Sequence, residues 1–321
     1  MMKKNKIKDT GLEVTELSFG TSSLGSMPDT YGYEVPEERA QKTLNRFFQG
    51  PVNMLDTSRN YAMGESEKRI GKAIKENGGW PNGFLLSTKL DRNMDTLVLD
   101  KNRVRESLEE SLKTLNVDSV DILFLHDPEY AKDITDITKK GGAMDELFKI
   151  KNEGLAKAAG VAMGKVDIMF PLLKNWDFDV IINHNRYTLL NREANEMYDY
   201  ASSKNIAIFN AAPYAGGVLA KGPDNFKKIT YQDATEEKLA PAREFEKVCK
   251  KHNVELGAAA LQFSLRDNRI TSTICGVTSV ESIEKNLAWA NTNIPEEFWN
   301  EVLKLPYSTK DPESERNFTP G

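Results

Sequence analysis

A chain of 321 residues, 39% hydrophobic and 28% charged, can bury a large core and has the make-up of an ordinary globular protein, which excludes a disordered or fibrous polymer. Its net charge of −5 gives no basic field for a phosphate backbone, so no nucleic-acid partner is expected. The early lysines are not followed by a continuous apolar run and no later window is long enough to span a bilayer, so no membrane partner is expected and the expected location is the cytoplasm.

In chain order, residues 5–17 read as a hairpin turning at Asp9-Thr10-Gly11, placed to cap the bottom of a barrel. Short apolar runs then predict strands at 17–20, 52–55, 84–89, 120–126, 155–162, 179–184, 206–212 and 272–276. Amphipathic stretches between them predict helices at 36–50, 64–77, 102–117, 143–153, 165–175, 191–203, 236–252 and 279–291, with an extra one at 257–266. In 102–117, Val104, Leu108, Leu112 and Leu115 recur at helical spacing while Arg103, Arg105, Glu109, Glu110 and Lys113 fill the other positions, the pattern of a helix lying on a sheet.

Eight strand and helix pairs without a break in composition predict the α/β class and a closed (β/α)8 TIM barrel, one domain over residues 1–321, with an open doubly wound sheet as the alternative. Residues 127–142 after the fourth strand and 214–237 after the seventh are too long to be simple connectors, and such loops sit on the face where barrels do chemistry. The polar tail at 306–321 is expected to be loosely held. Cys249 and Cys275 read as buried reduced thiols without metal-ligand spacing.

With the strands so placed, Asp56 ends the second, Lys89 the third and His126 the fourth, and Tyr61 follows in the loop after Asp56. Each has an ordinary structural explanation: a turn cap, a solvated strand end, a core histidine, a surface aromatic. Together they describe a proton-transfer site. A tyrosine with an ordinary pKa of about 10 is badly matched to neutral pH. A buried ammonium beside it is expected to lower that value, and Lys89 can supply the charge with Asp56 as its partner. His126 adds a donor or guide for a substrate oxygen. No strong nucleophile accompanies them, which points to proton transfer coupled to a cofactor. Only His126, His184 and His252 are available as histidine ligands, too few for a metal-dependent hydrolase, so no metal is expected.

These residues resemble the aldo-keto reductase superfamily, whose tetrad of Asp, Tyr, Lys and His occurs in this chain order. "LDTSRNYAMGESEKRIGKAI", "LLSTKL" and "VDILFLHDPE" are similar to the family's Asp and Tyr, Lys and His segments. "SFGTSSLGS" and "ICGVTSVESIEKN" resemble its first and last strands with their loops. "LHDPE", "NRYTLLNR" and "APYAGGVLAKG" look most like the branch of L-fucose, D-threo-aldose and L-galactose 1-dehydrogenases and pyridoxal 4-dehydrogenase.

The resemblance implies a barrel holding a nicotinamide cofactor, with catalytic Asp56, Tyr61, Lys89 and His126. The small-molecule partner is then a sugar or aldehyde: an aldose oxidised at C1 to a lactone, or an aldehyde reduced. A general aldehyde or ketone reductase, or a redox-sensing regulatory subunit acting on a partner protein, is the alternative. Cofactor contacts are implied for Gly20, Thr21, Ser22 and Asp56, and for His184 and Asn185 at the end of the sixth strand. They are also implied for Gly216, Gly217 and Leu219 in the long loop, and for Gly276, Thr278, Ser279, Ser282 and Asn286 around the last strand. The chain departs from the family where it has Ala162 and Met163 after the fifth strand, His184 in place of a Gln, and Ala211 or Ala212 in place of a stacking Tyr. His184, Asn185 or Tyr214 are the candidate substitutes. Gly276, Thr278 and Ser282 stand where NADPH-preferring members carry Lys or Arg, so NAD is favoured over NADP, with Lys285 one turn further along.

Overall fold

The computed structural model describes residues 2–316. A hairpin of β1 (Lys4–Ile7) and β2 (Leu12–Thr15) precedes eight parallel strands: β3 (Leu17–Gly20), β4 (Met54–Asp56), β5 (Leu85–Leu90), β6 (Val120–His126), β7 (Ala156–Met163), β8 (Val180–His184), β9 (Ala207–Ala211) and, after the small hairpin β10 (Lys228–Ile229) and β11 (Gln232–Asp233), β12 (Ser272–Gly276). They close in the order β12-β3-β4-β5-β6-β7-β8-β9. This is the (β/α)8 barrel expected, and the open doubly wound alternative is excluded. Each strand feeds a helix that packs back over it, so all eight strand ends open on one face.

The helices follow the amphipathic segments closely. The helix Lys101–Leu115 starts at Asp100, whose carboxylate accepts from the backbone N–H of Asn102 and Arg103, and stops at Asn116 in a left-handed conformation (φ 58°). Its buried residues include Val104, Leu108 and Leu115. The expected helix at 191–203 is shorter, Asn195–Ser203, because residues 191–194 form the turn that receives the C-terminal segment. A helix at Glu296–Val302 and the β10–β11 hairpin are additional.

Two apolar regions result: a large outer one between strands and helices, and an inner one filling the barrel. The hairpin is part of the inner region, where Ile7, Leu12 and Val14 pack with Met54, Leu85 and Ile122. It therefore plugs the end of the barrel opposite the strand termini. Asn53 seats it, accepting from the Thr15 N–H (2.8 Å) and donating to Glu13 O (2.9 Å). That duty explains why the strand expected at 52–55 begins only at Met54.

The C-terminal segment differs from expectation. Ser308 bridges to Asn191, Asn191 donates to Lys310 O (2.8 Å), and buried Arg186 at the end of β8 pairs with Asp311 (2.6 Å) and with Glu313. A buried guanidinium needs anionic partners, and the tail supplies them. Residues 317–321 of the expected polar tail lie outside the described residues.

The helices Glu65–Glu76 and Lys101–Leu115 approach closely at Gly71. A Cβ there would lie 2.1 Å from the Thr114 carbonyl oxygen. Alanine gains about 1 kcal/mol of helix propensity, but no rotamer change relieves a backbone oxygen, and such overpacking costs about 1–3 kcal/mol. Gly71→Ala is therefore expected to lower the urea midpoint of unfolding, with a net loss of up to about 2 kcal/mol. A raised midpoint would contradict the close approach.

Candidate active site

The four residues of the expected tetrad come together at the strand ends. Asp56 closes β4, facing Ser87 across the ladder, and Lys89 lies two residues further along β5 on the same inward side. Lys89 is 2% exposed and Asp56 4%. The Lys89 Nζ donates to Asp56 Oδ2 (2.7 Å) and to Thr57 O (2.6 Å), and Ser87 Oγ donates to Asp56 Oδ1 (2.9 Å). Both carboxylate oxygens and two of the three ammonium donors have partners, as a buried ion pair requires.

Tyr61 reaches the pair through a constrained loop. Ala62, Met63 and Gly64 all have positive φ (51°, 54° and 94°). For Ala62 and Met63 this costs about 1–2 kcal/mol each. Tertiary contacts hold the conformation: the Asn60 N–H donates to Asp91 Oδ2 (3.0 Å), Arg59 Nε pairs with Glu110 (3.0 Å), and Thr57 and Ser66 share a hydroxyl contact (3.1 Å). The Tyr61 ring then lies with the Lys89 ammonium 4.7 Å from its centroid and packs edge-on to His126 at 5.8 Å.

This arrangement corrects one expectation. The Tyr61 phenol is held well above its ordinary pKa, first by burial and then by the negative charge of Asp56. Burial and the charge of Asp56 together outweigh the Lys89 ammonium, which lies over the ring but is itself matched by Asp56. The phenol therefore keeps its proton at neutral pH.

His126 is engaged by a residue absent from the expected site, Asp91. The His126 Nδ1 lies 2.6 Å from Asp91 Oδ1, and Ser58 Oγ, 3.1 Å from the same nitrogen, donates to Asp91 Oδ2 (2.6 Å). Asp91 is fully buried. The sequence carries its signal in "TKLD": two positions beyond Lys89, it falls on the same face of the strand. Asp127, in a left-handed conformation (φ 43°), brings its Oδ1 to 3.8 Å from His126 Nε2.

A cavity of about 550 Å3 opens over these groups and continues between the long loops to the helix Val280–Ala290. Of the expected cofactor residues, Gly20, Thr21, Ser22, Asp56, His184, Gly216, Gly217, Gly276, Thr278, Ser282 and Asn286 line it. Asn185, Leu219 and Ser279 do not. Asn185 turns its amide nitrogen toward His184 Nδ1 (3.3 Å), Leu219 is core, and Ser279 caps the helix, accepting from the Ser282 N–H. Tyr214 lines the cavity, but its hydroxyl donates to Asn286 Oδ1 (2.5 Å) and its ring packs against Trp289. Ala162, Ile182, Ala211 and Ile274 contribute an apolar floor beside the tetrad. Lys221, Arg92 and Arg316 also line the cavity. Arg316 could not be foreseen, since it arrives with the docked tail. No cluster of three or more metal-ligating side chains occurs among the described residues, and none of their helices is long and apolar enough to cross a membrane.

The donor set fits a dinucleotide. Hydroxyls at Thr21, Ser22, Thr278 and Ser282 border the cavity, and Gly276 leaves the backbone approachable, with no atom within 4 Å of a Cβ built on it, whereas a Cβ on Gly216 or Gly217 would meet the Thr230 backbone (2.8 Å) or the Phe226 ring (3.2 Å). At the far end Tyr214 and Trp289 offer aromatic surface.

A parallel barrel carrying a phenol, an ammonium–carboxylate pair and an imidazole at its strand ends beneath such a trough is the framework of a barrel oxidoreductase. The chain belongs to the Aldo/keto reductase family, which it matches over residues 16–305. Members of that family use NAD(P)H. The chain is 31% identical to an L-galactose dehydrogenase of Arabidopsis thaliana, over 87% of this chain and 85% of that one. It is 26% identical to a pyridoxal 4-dehydrogenase of Microbacterium luteolum (92% and 95%) and 27% identical to a D-threo-aldose 1-dehydrogenase of a Pseudomonas species (92% and 94%). In fold it is similar to an aldo-keto reductase of Bacillus halodurans in its holo form (TM-score 0.79, 21% identity, 98% and 100% covered) and to a glycerol dehydrogenase of Gluconobacter oxydans (0.72, 20%, 94% and 94%).

The ion pair makes its own prediction. Asp56→Asn keeps the shape but leaves the Lys89 ammonium buried without a counter-charge, and equilibrium unfolding is expected to register a loss of about 3–5 kcal/mol. A loss below about 1 kcal/mol would mean that water reaches Lys89.

Proposed function

We propose that the protein oxidises an aldose at C1 to its lactone, or in reverse reduces an aldehyde, with NAD preferred to NADP. The observation that carries this reading is the convergence of Asp56, Tyr61, Lys89 and His126 on the floor of a dinucleotide-sized cavity. The names of three relatives, two of them sugar dehydrogenases, support the substrate class.

A bound nicotinamide supplies or accepts the hydride; the chain handles the proton and the geometry. In reduction the Tyr61 hydroxyl gives its proton to the carbonyl oxygen, and the nearby Lys89 ammonium stabilises the phenolate that results. In oxidation the proton of the C1 hydroxyl returns to that oxygen. His126 directs the substrate oxygen toward Tyr61. The apolar floor made by Ala162, Ile182, Ala211 and Ile274 would hold a nicotinamide ring and keep water from the reacting atoms.

The NAD preference rests on the adenosine end. Gly276, Thr278 and Ser282 offer no cation to a ribose phosphate, and Lys285, which lines the cavity, has its ammonium engaged over the Trp289 ring, 4.6 Å from its centroid.

Purified protein should reduce NAD faster than NADP when offered L-fucose, D-arabinose, L-galactose or pyridoxal, with at least one sugar outperforming pyridoxal. Preference for NADP, or turnover of pyridoxal alone, would overturn the corresponding half of the reading. Tyr61→Phe should lower kcat by on the order of 10²–10⁴-fold while fluorescence titration shows unchanged NADH affinity. Full activity in that variant would remove Tyr61 from the chemistry.

A further inference from the structure

His126 is held from both sides by carboxylates. Asp91, fully buried at the end of β5, has its Oδ1 2.6 Å from His126 Nδ1, and its second oxygen is fixed by the Ser58 hydroxyl (2.6 Å) and the Asn60 N–H (3.0 Å). A carboxylate only accepts hydrogen bonds, so Nδ1 carries a hydrogen. On the other side Asp127 Oδ1 lies 3.8 Å from Nε2 and has no hydrogen-bond partner among the described residues. Asp127 is partly exposed, but this oxygen is shielded from solvent, and its negative charge favours a hydrogen on Nε2 as well.

The charged and titratable groups facing His126 from each neighbouring element are Lys89 and Asp91 on β5, Asp127 after β6, Tyr61 on the loop after β4 and His184 at the end of β8. Lys89 opposes a second positive charge, but its own charge is matched by Asp56 at 2.7 Å. Tyr61 is a neutral phenol, and burial keeps His184 below the ordinary histidine value. The two carboxylates outweigh Lys89. Burial disfavours the charged ring, yet Asp127 and Asp91 outweigh it and raise His126 above the ordinary 6.5. Asp91 in turn is brought below the usual carboxylate range, since His126 and Ser58 overcome its burial.

We propose that Asp91 is a positioning residue that keeps His126 as an imidazolium at neutral pH, with Nδ1–H bound to Asp91 and Nε2–H directed at the substrate oxygen. This rests on the oxidoreductase reading and deepens it. The site then offers the carbonyl oxygen two donors, the Tyr61 hydroxyl, which gives up its proton, and the His126 Nε2–H, which keeps its own. The second donor polarises the carbonyl without a second proton transfer.

The chain has three histidines, so nitrogen NMR of the labelled full-length protein can resolve each ring, with His126→Asn assigning the one of interest. Wild-type His126 should show both ring nitrogens protonated at pH 7. In Asp91→Asn its titration midpoint should fall by about one pH unit or more, and kcat for aldehyde reduction at pH 7 should drop by on the order of 10²-fold with the KM for NADH unchanged. A neutral His126 ring at pH 7 in the wild type, or an unmoved midpoint in the variant, would overturn the proposal. Should Asp91→Asn fail to fold, the wild-type titration alone decides. Should no sugar or aldehyde be turned over, the ring spectra still report on Asp91, so failure of the enzymatic reading and failure of this one are told apart.

Discussion

The buried pair of Lys89 and Asp56 is the constraint around which the strand ends are arranged. An ammonium taken out of water costs several kcal/mol unless it is fully coordinated. Coordination here needs Asp56 from β4, the Thr57 carbonyl just past it, and Ser87 from β5 to hold the second carboxylate oxygen. These contacts are available only when β4 and β5 are in the observed register, with Asp56 opposite Ser87. A slip of one residue would turn Lys89 outward. The hydrophobic pattern and the ion pair therefore demand the same register, and the loop carrying Tyr61 starts from a fixed point.

From that point the geometry propagates along the face. Asp91 lies two residues past Lys89, so the strand that places the ammonium also places the carboxylate that grips His126. The same carboxylate accepts from Asn60 and so helps to hold the strained turn at Ala62 and Met63. One side chain thus links the imidazole and the phenol through the backbone. At the far edge Arg186 draws in the C-terminal segment through Asp311 and Glu313, which brings Arg316 to the rim of the cavity.

The barrel is legible in the sequence because its signals are local and repeated. Strands such as 120–126 are buried on both faces and read as continuous apolar runs, while the helices keep a 3.6-residue period and carry caps such as Asp100. The tetrad is legible because each member ends or follows a strand. What escapes depends on distant partners. Nothing in "DPESER" says that it will meet an arginine more than 120 residues earlier, so the tail reads as loose. Leu219 and Ser279 fall in the correct loops, but which way a side chain turns there is decided by packing and capping that motif position does not encode. Asp91 escapes for another reason: it stands just beyond the apolar run that marks the strand, where only the two-residue period counted onward from Lys89 shows which way it points.

The correction at Tyr61 bears on the direction of the chemistry. The sequence suggests an ammonium acting on a phenol, and the structure shows an ammonium already balanced by a carboxylate, with that carboxylate's charge also felt by the phenol. A neutral pair beside a neutral acid stores the proton on Tyr61, which suits protonation of a carbonyl oxygen. When the proton leaves, the balance changes. On the mechanism proposed, the phenolate competes with Asp56 for Lys89, whose ammonium lies 4.7 Å from the ring centroid. Product alcohol formation is coupled, on that mechanism, to a redistribution of one ammonium between two anions, and oxidation starts from the redistributed state. The cost of reaching it is set by how tightly Ser87 and Thr57 hold their ends of the cluster. The residues that set the cost of taking the proton from Tyr61 therefore include groups that never touch the substrate.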